Sequence, residues 1–79
     1  MFKFENIEII EIEDSMAVTV TLNGTELTEW IEIEDGVVTI EMVDSNMCMN
    51  QQGELDALGI EDVTELMMAM KEAAQNLLS

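Results

Sequence analysis

Seventy-nine residues make one domain. The hydrophobic share of 48% is ordinary for a globular chain and excludes an acidic disordered tail, so a normal core sits inside an abnormal surface. Thirteen Glu and five Asp face two Lys, with no Arg and no His, and the net charge of −16 opposes direct binding to nucleic acid or anionic membrane while favouring basic partners.

Residues 2–43 read as strands, 44–59 as a polar connection and 60–78 as a helix. Strand one is the least regular. Ile10 and Ile12 match Val18 and Met16 across a three-residue loop at Glu13-Asp14-Ser15, which leaves Ile7 and Ile9 out of phase. A bulge at Ile9-Ile10 would return them to the core opposite Leu22 and Val20. The same bulge turns Phe2 and Phe4 outward, unless a second irregularity near Asn6 corrects them. With no bulge, Phe2 and Phe4 point in while Ile7 and Ile9 point out. Both arrangements stay open.

The next strands are better determined. Asn23-Gly24 and Asp35-Gly36 are dipeptides that two-residue type I′ hairpins prefer, because both central residues need positive φ. The first tip pairs Val20 with Leu27, Val18 with Glu29 and Met16 with Ile31. The second pairs Ile33 with Val38, Ile31 with Ile40 and Glu29 with Met42. Both registers put the apolar residues on one face, apart from Glu29, and so predict an antiparallel meander. The connection that follows allows a short helical turn at Glu54–Leu58, and Gly59 ends it. Ile60, Val63, Leu66, Met67, Met70, Ala73, Ala74, Leu77 and Leu78 then recur at helical period. Asp62 and Glu65 suit a capping box at its start. The expectation is an α+β fold, a four-stranded antiparallel meander with one C-terminal helix across its apolar face.

That arrangement puts Glu11, Glu13, Glu32, Glu34 and Glu41 on the other face of the sheet, with Thr19, Thr21, Thr28 and Thr39 between them. Carboxylates two residues apart on a strand stand about 6.7 Å apart, within about a factor of two of the 3.4 Å axial phosphate spacing of a DNA strand. Glu61, Glu65 and Glu72 form a second acidic row, opposite the buried stripe of the helix. Any one of these is an ordinary solvated side chain; the set is unusual because solvated faces normally mix signs. Trp30 points outward across from Glu41 and beside Ala17, where a lone Trp marks an interface anchor, a surface residue shielded by neighbours such as Val37 and Val43, or a contact in a homodimer. Met68 stands in the helical acidic row in the same way. These ten residues are the candidate partner-binding set.

Catalysis is not expected. Without His or Arg the chain has no common general base near neutral pH, no imidazole ligand and no phosphate fork. It carries no glycine-rich phosphate loop, and no cofactor is implied. Met47-Cys48-Met49 with Met67, Met68 and Met70 could hold a soft metal, but Met at helical spacing is more often core filling. Cys48 is alone, so a reducing compartment is the simpler setting. With no signal-like N-terminus and no apolar run of ~20 residues, the expected location is the cytoplasm. Adaptation to high salt is the plain alternative for the acidity; the excess of Glu over Asp and the many Ile and Met speak against it.

In size, charge and layout the whole chain resembles the small acidic inhibitors encoded by phages, anti-CRISPR proteins and other DNA mimics among them. The resemblance implies a stoichiometric inhibitor in a bacterial host cytoplasm. Its acids would occupy the basic nucleic-acid channel of a defence or DNA-processing protein or ribonucleoprotein complex. A different class is an assembly or regulatory subunit that docks on one basic protein through its acidic sheet. A third is a phage-structure accessory whose open sheet edges pair with copies of itself.

Overall fold

The computed structural model describes residues 2–79. Two hairpin tips take the conformation their dipeptides favour: φ is 51° at Asn23 and 79° at Gly24, 53° at Asp35 and 78° at Gly36. They join β2 (Ser15–Leu22), β3 (Thr25–Glu34) and β4 (Val37–Ile40). Val20 faces Leu27, Val18 faces Glu29 and Met16 faces Ile31. Ile31 faces Ile40 and Ile33 faces Val38, as the alternation predicts. The predicted pairing of Glu29 with Met42 does not form. β4 ends at Ile40, and Met42 lies exposed beyond it.

β1 (Asn6–Ile12) completes the sheet in the order β1-β2-β3-β4, in a register different from the one expected. Its turn has two residues, Glu13-Asp14, not three, and Glu13 accepts φ 57° to make it. Ile12 therefore pairs with Ser15, Ile10 with Ala17, Ile9 with Val18 and Ile7 with Val20. One residue of slip exchanges the faces of a strand. Ile7 and Ile9 go to the core without any bulge at Ile9-Ile10, and Ile10 and Ile12 go to the opposite face. The irregularity expected near Asn6 is present at Glu5, whose N–H bonds the Thr21 carbonyl at 2.8 Å although Thr21 is paired with Asn6. That extra residue resets the phase, so Phe2 and Phe4 also pack on the core, their rings stacked 6.4 Å apart.

Between sheet and C-terminal helix stand two short helices, α1 (Asn46–Asn50) and α2 (Gln52–Ala57). Each puts one side chain, Met47 and Leu55, into the core with no exposed surface. Gly59, at φ 73°, ends α2, and the Ile60 N–H returns to the Leu55 carbonyl at 3.0 Å. α3 (Val63–Leu78) starts at Asp62, whose carboxylate accepts from the Glu65 N–H at 3.0 Å. Leu66, Met67, Met70 and Ala74 seat it on the sheet beside Val18, Val20, Leu27, Ile31 and Val38. Leu77 and Leu78, expected inside, are exposed at the helix end. The result is a two-layer α+β fold, a four-stranded antiparallel sheet with α3 packed on one face.

Candidate protein-docking face

The face of the sheet away from α3 follows from the pairing. It runs in rows: Asn6, Thr21 and Glu26; Glu8, Thr19 and Thr28; Ile10, Ala17 and Trp30; Ile12 and Ser15, continued by Glu32 and Thr39; Glu34 and Val37. Thr19 and Thr28 share a hydroxyl hydrogen bond and leave little of Thr19 in water. The third row is apolar. Ala17 is completely covered, with half-buried Ile10 on one side and half-buried Trp30 on the other. The Glu41 N–H bonds the Trp30 carbonyl at 3.1 Å, which puts Glu41 at the end of that row.

The acids therefore ring an apolar seam rather than tile the face. Glu8 and Glu26 stand on one side of it, Glu32 and Glu34 on the other and Glu41 at its end, and no cation occurs in any row. Trp30, Glu32, Glu34 and Glu41 thus share the face expected for them. Glu11 and Glu13 do not: Glu11 pairs with Met16 and so stands on the α3 side, while Glu13 is in the turn. The cause is the one-residue difference in the β1 turn. The same slip brings Glu8, Ile10 and Ile12 into the face, three residues absent from the expected set. The dipeptide Glu13-Asp14, read as a two-residue turn, would have found them.

Glu61, Glu65, Met68 and Glu72 are exposed on the opposite layer. Met68 and Glu72 border a shallow groove along α3 that Phe2, Phe4, Ala69 and Ala73 also line. Glu61 and Glu65 flank a second hollow beside Phe2, Lys3, Leu22 and Ile60. The structure does not bring these residues together with Trp30. They form a separate surface behind the helix, which a flat partner on the sheet does not reach.

Glu29, the one acid that broke the apolar pattern, is fully buried. Its carboxylate accepts from the Ser45 hydroxyl, from the Asn46 and Trp30 N–H groups at 2.9 Å each, and from the Met47 N–H at 3.4 Å. It ties α1 to the sheet, satisfies the start of that helix and is withdrawn from the surface. Met47, Met67 and Met70 are core residues, Cys48 and Met49 are exposed, and no cluster of three His, Cys, Asp or Glu side chains suited to a metal occurs among the described residues. No helix is long and apolar enough to cross a membrane among those residues.

The fold and this face define a class: a small acidic α+β protein with an apolar seam set among carboxylates. Compared with protein-family models, with curated proteins and with solved structures, the chain matches none.

Proposed function

We propose that the protein is an acidic, non-catalytic inhibitor that occupies the basic nucleic-acid-binding surface of another protein or ribonucleoprotein complex. In this DNA-mimic role, of the kind phage anti-CRISPR proteins play in a bacterial cytoplasm, its carboxylates stand where phosphates lie. The carrying observation is a sheet face on which every charged side chain is an acid, in a chain with two Lys against 18 acids. Such a surface steers towards Lys- and Arg-rich channels and is repelled by nucleic acid itself. Glu32 and Glu34, two apart on β3, supply the repeated charge. Trp30, at the Glu41 end of the apolar seam with polar groups around it, has the setting of an interface anchor.

The seam favours a second reading. Imitating phosphates does not require an apolar row among the acids, so the face also suits an assembly or regulatory subunit that docks on a basic protein without imitating DNA. One experiment separates the two. A partner captured from bacterial lysate is titrated with labelled duplex DNA and with this protein. Mutual displacement, weakening as salt rises, is the expected result. A ternary complex with both affinities unchanged removes channel occupation and leaves the docking subunit.

A further inference from the structure

We infer that the open edge of β1 receives an extended, basic segment of the partner, which adds to the sheet as a fifth strand; this rests on the partner being basic, as proposed above. The observation is a contrast between edges. Where β4 leaves β3, side chains close the exposed backbone in turn. The Trp30 N–H goes to Glu29, the Thr28 carbonyl accepts from the Asn46 amide at 2.7 Å, and the Gln51 amide takes the Thr28 N–H at 2.8 Å and the Glu26 carbonyl at 3.0 Å. On β4, Gln75 repeats the device, accepting from the Val38 N–H and donating to the Gly36 carbonyl, both at 2.8 Å. Each glutamine holds one N–H and the carbonyl two residues before it, as a neighbouring strand does.

β1 has no such closure. In an antiparallel ladder closed by a two-residue turn, alternate residues bond the neighbour. Asn6, Glu8, Ile10 and Ile12 therefore bond β2, and Ile7, Ile9 and Glu11 direct their N–H and carbonyl groups away from the sheet. Among the described residues nothing bonds those groups. An unpaired edge of this kind is a template for strand addition. Charge selects the occupant. A strand laid along β1 meets Glu11 on the α3 side, Glu8 on the other, and Glu13-Asp14 at the turn. Lys or Arg on both faces answers these, while an apolar residue on each face answers Ile9 and Ile10. A second copy brings another −16 against the same edge, so self-pairing is opposed by repulsion.

The probe is a short peptide repeating Lys-Lys-Val-Val, which puts both residue types on each face of the strand, with a copy N-methylated along its length that keeps charge and side chains but cannot donate. The expected result is slower amide exchange at Ile7, Ile9 and Glu11 on adding the first peptide, and binding about tenfold or more weaker for the methylated copy. Glu11→Pro removes an outward N–H that edge strands can spare, and Glu11→Gln controls for its charge. The Pro variant should lose about tenfold in peptide affinity relative to the Gln variant. Should Glu11→Pro not fold, the exchange and N-methyl comparisons on the unaltered chain still decide. Equal binding of the two peptides, or unchanged exchange at the three amides, overturns the proposal. So does a free chain that sediments as a dimer with those amides already protected, because the edge then belongs to a second copy. Peptide pairing without DNA competition sinks mimicry alone; DNA competition without pairing sinks the edge alone.

Discussion

Glu29 and Trp30 are neighbours with opposite assignments. Four donors converge on the Glu29 carboxylate, so only a group that accepts at both ends fits. Glu29→Gln turns an NH2 towards donors inside the core, and the expected loss is about 3 kcal/mol of folding stability, read from denaturant unfolding. An unchanged midpoint would mean that α1 is held by something else. Trp30 faces the other way, covering Ala17 while leaving part of its ring in water. Trp30→Ala should raise the off-rate of the partner complex and cost about 2 kcal/mol in affinity. Charge reversal at Glu32 and Glu34 together should act mainly on the on-rate. Surface plasmon resonance separates these effects; an unaltered off-rate in Trp30→Ala removes the seam from the interface.

Each short element carries more than its length suggests. α1, α2 and the residue between them fill the space beside the short β4 and supply Met47, Leu55 and the edge-closing Asn46 and Gln51. Leu55→Ala should therefore destabilise by about 3 kcal/mol, in the range for a fully buried Leu. A loss under about 1 kcal/mol would show the 44–59 segment to be a dispensable connection. α3 performs two tasks with two faces. Leu66, Met67, Met70 and Ala74 supply apolar burial, and Gln75 at its flank ends the sheet at β4. Together these devices leave β1 as the accessible edge.

For the whole molecule, charge and size set one comparison. The Cα radius of gyration is 11.7 Å, close to the Debye length of about 10 Å in 0.1 M salt. Below that salt concentration the acids repel one another across the entire molecule; well above it they do not. The melting temperature at neutral pH should therefore rise with sodium chloride, and a flat or falling series contradicts crowding of the acids. The smallest extent is 19 Å, about twice the screening length of about 8 Å at physiological salt. The acidic face of the sheet and the acidic back of α3 then act independently. Charge reversal at Glu65 and Glu72 should leave the association rate of a sheet-docked partner unchanged at physiological salt and reduce it in low salt.

Local chemistry by itself determined the middle of this protein. Asn23-Gly24 and Asp35-Gly36 demand positive φ, strands have period two, and these facts set the β2–β3–β4 register and the positions of Trp30, Glu32 and Glu34 before any packing is known. The amphipathic period of α3 and the stop at Gly59 were legible for the same reason. Only the tertiary structure decided β1. Its sequence alternates acceptably in two phases, and Glu13-Asp14 and Glu13-Asp14-Ser15 are both plausible loops. The choice was made by which isoleucines α3 could cover, with Glu5 absorbing the misfit so that Phe2 and Phe4 could join Ile7 and Ile9. That choice moved Glu11 off the sheet face and put Ile10 on it. Likewise, the hairpin register puts Glu29 on the core face, but nothing local shows what makes its burial tolerable. Its burial depends on Ser45, Asn46 and Met47 arriving from a segment 16 to 18 residues away with their donors unpaired, because a buried carboxylate is tolerated only where hydrogen bonds replace the water it lost.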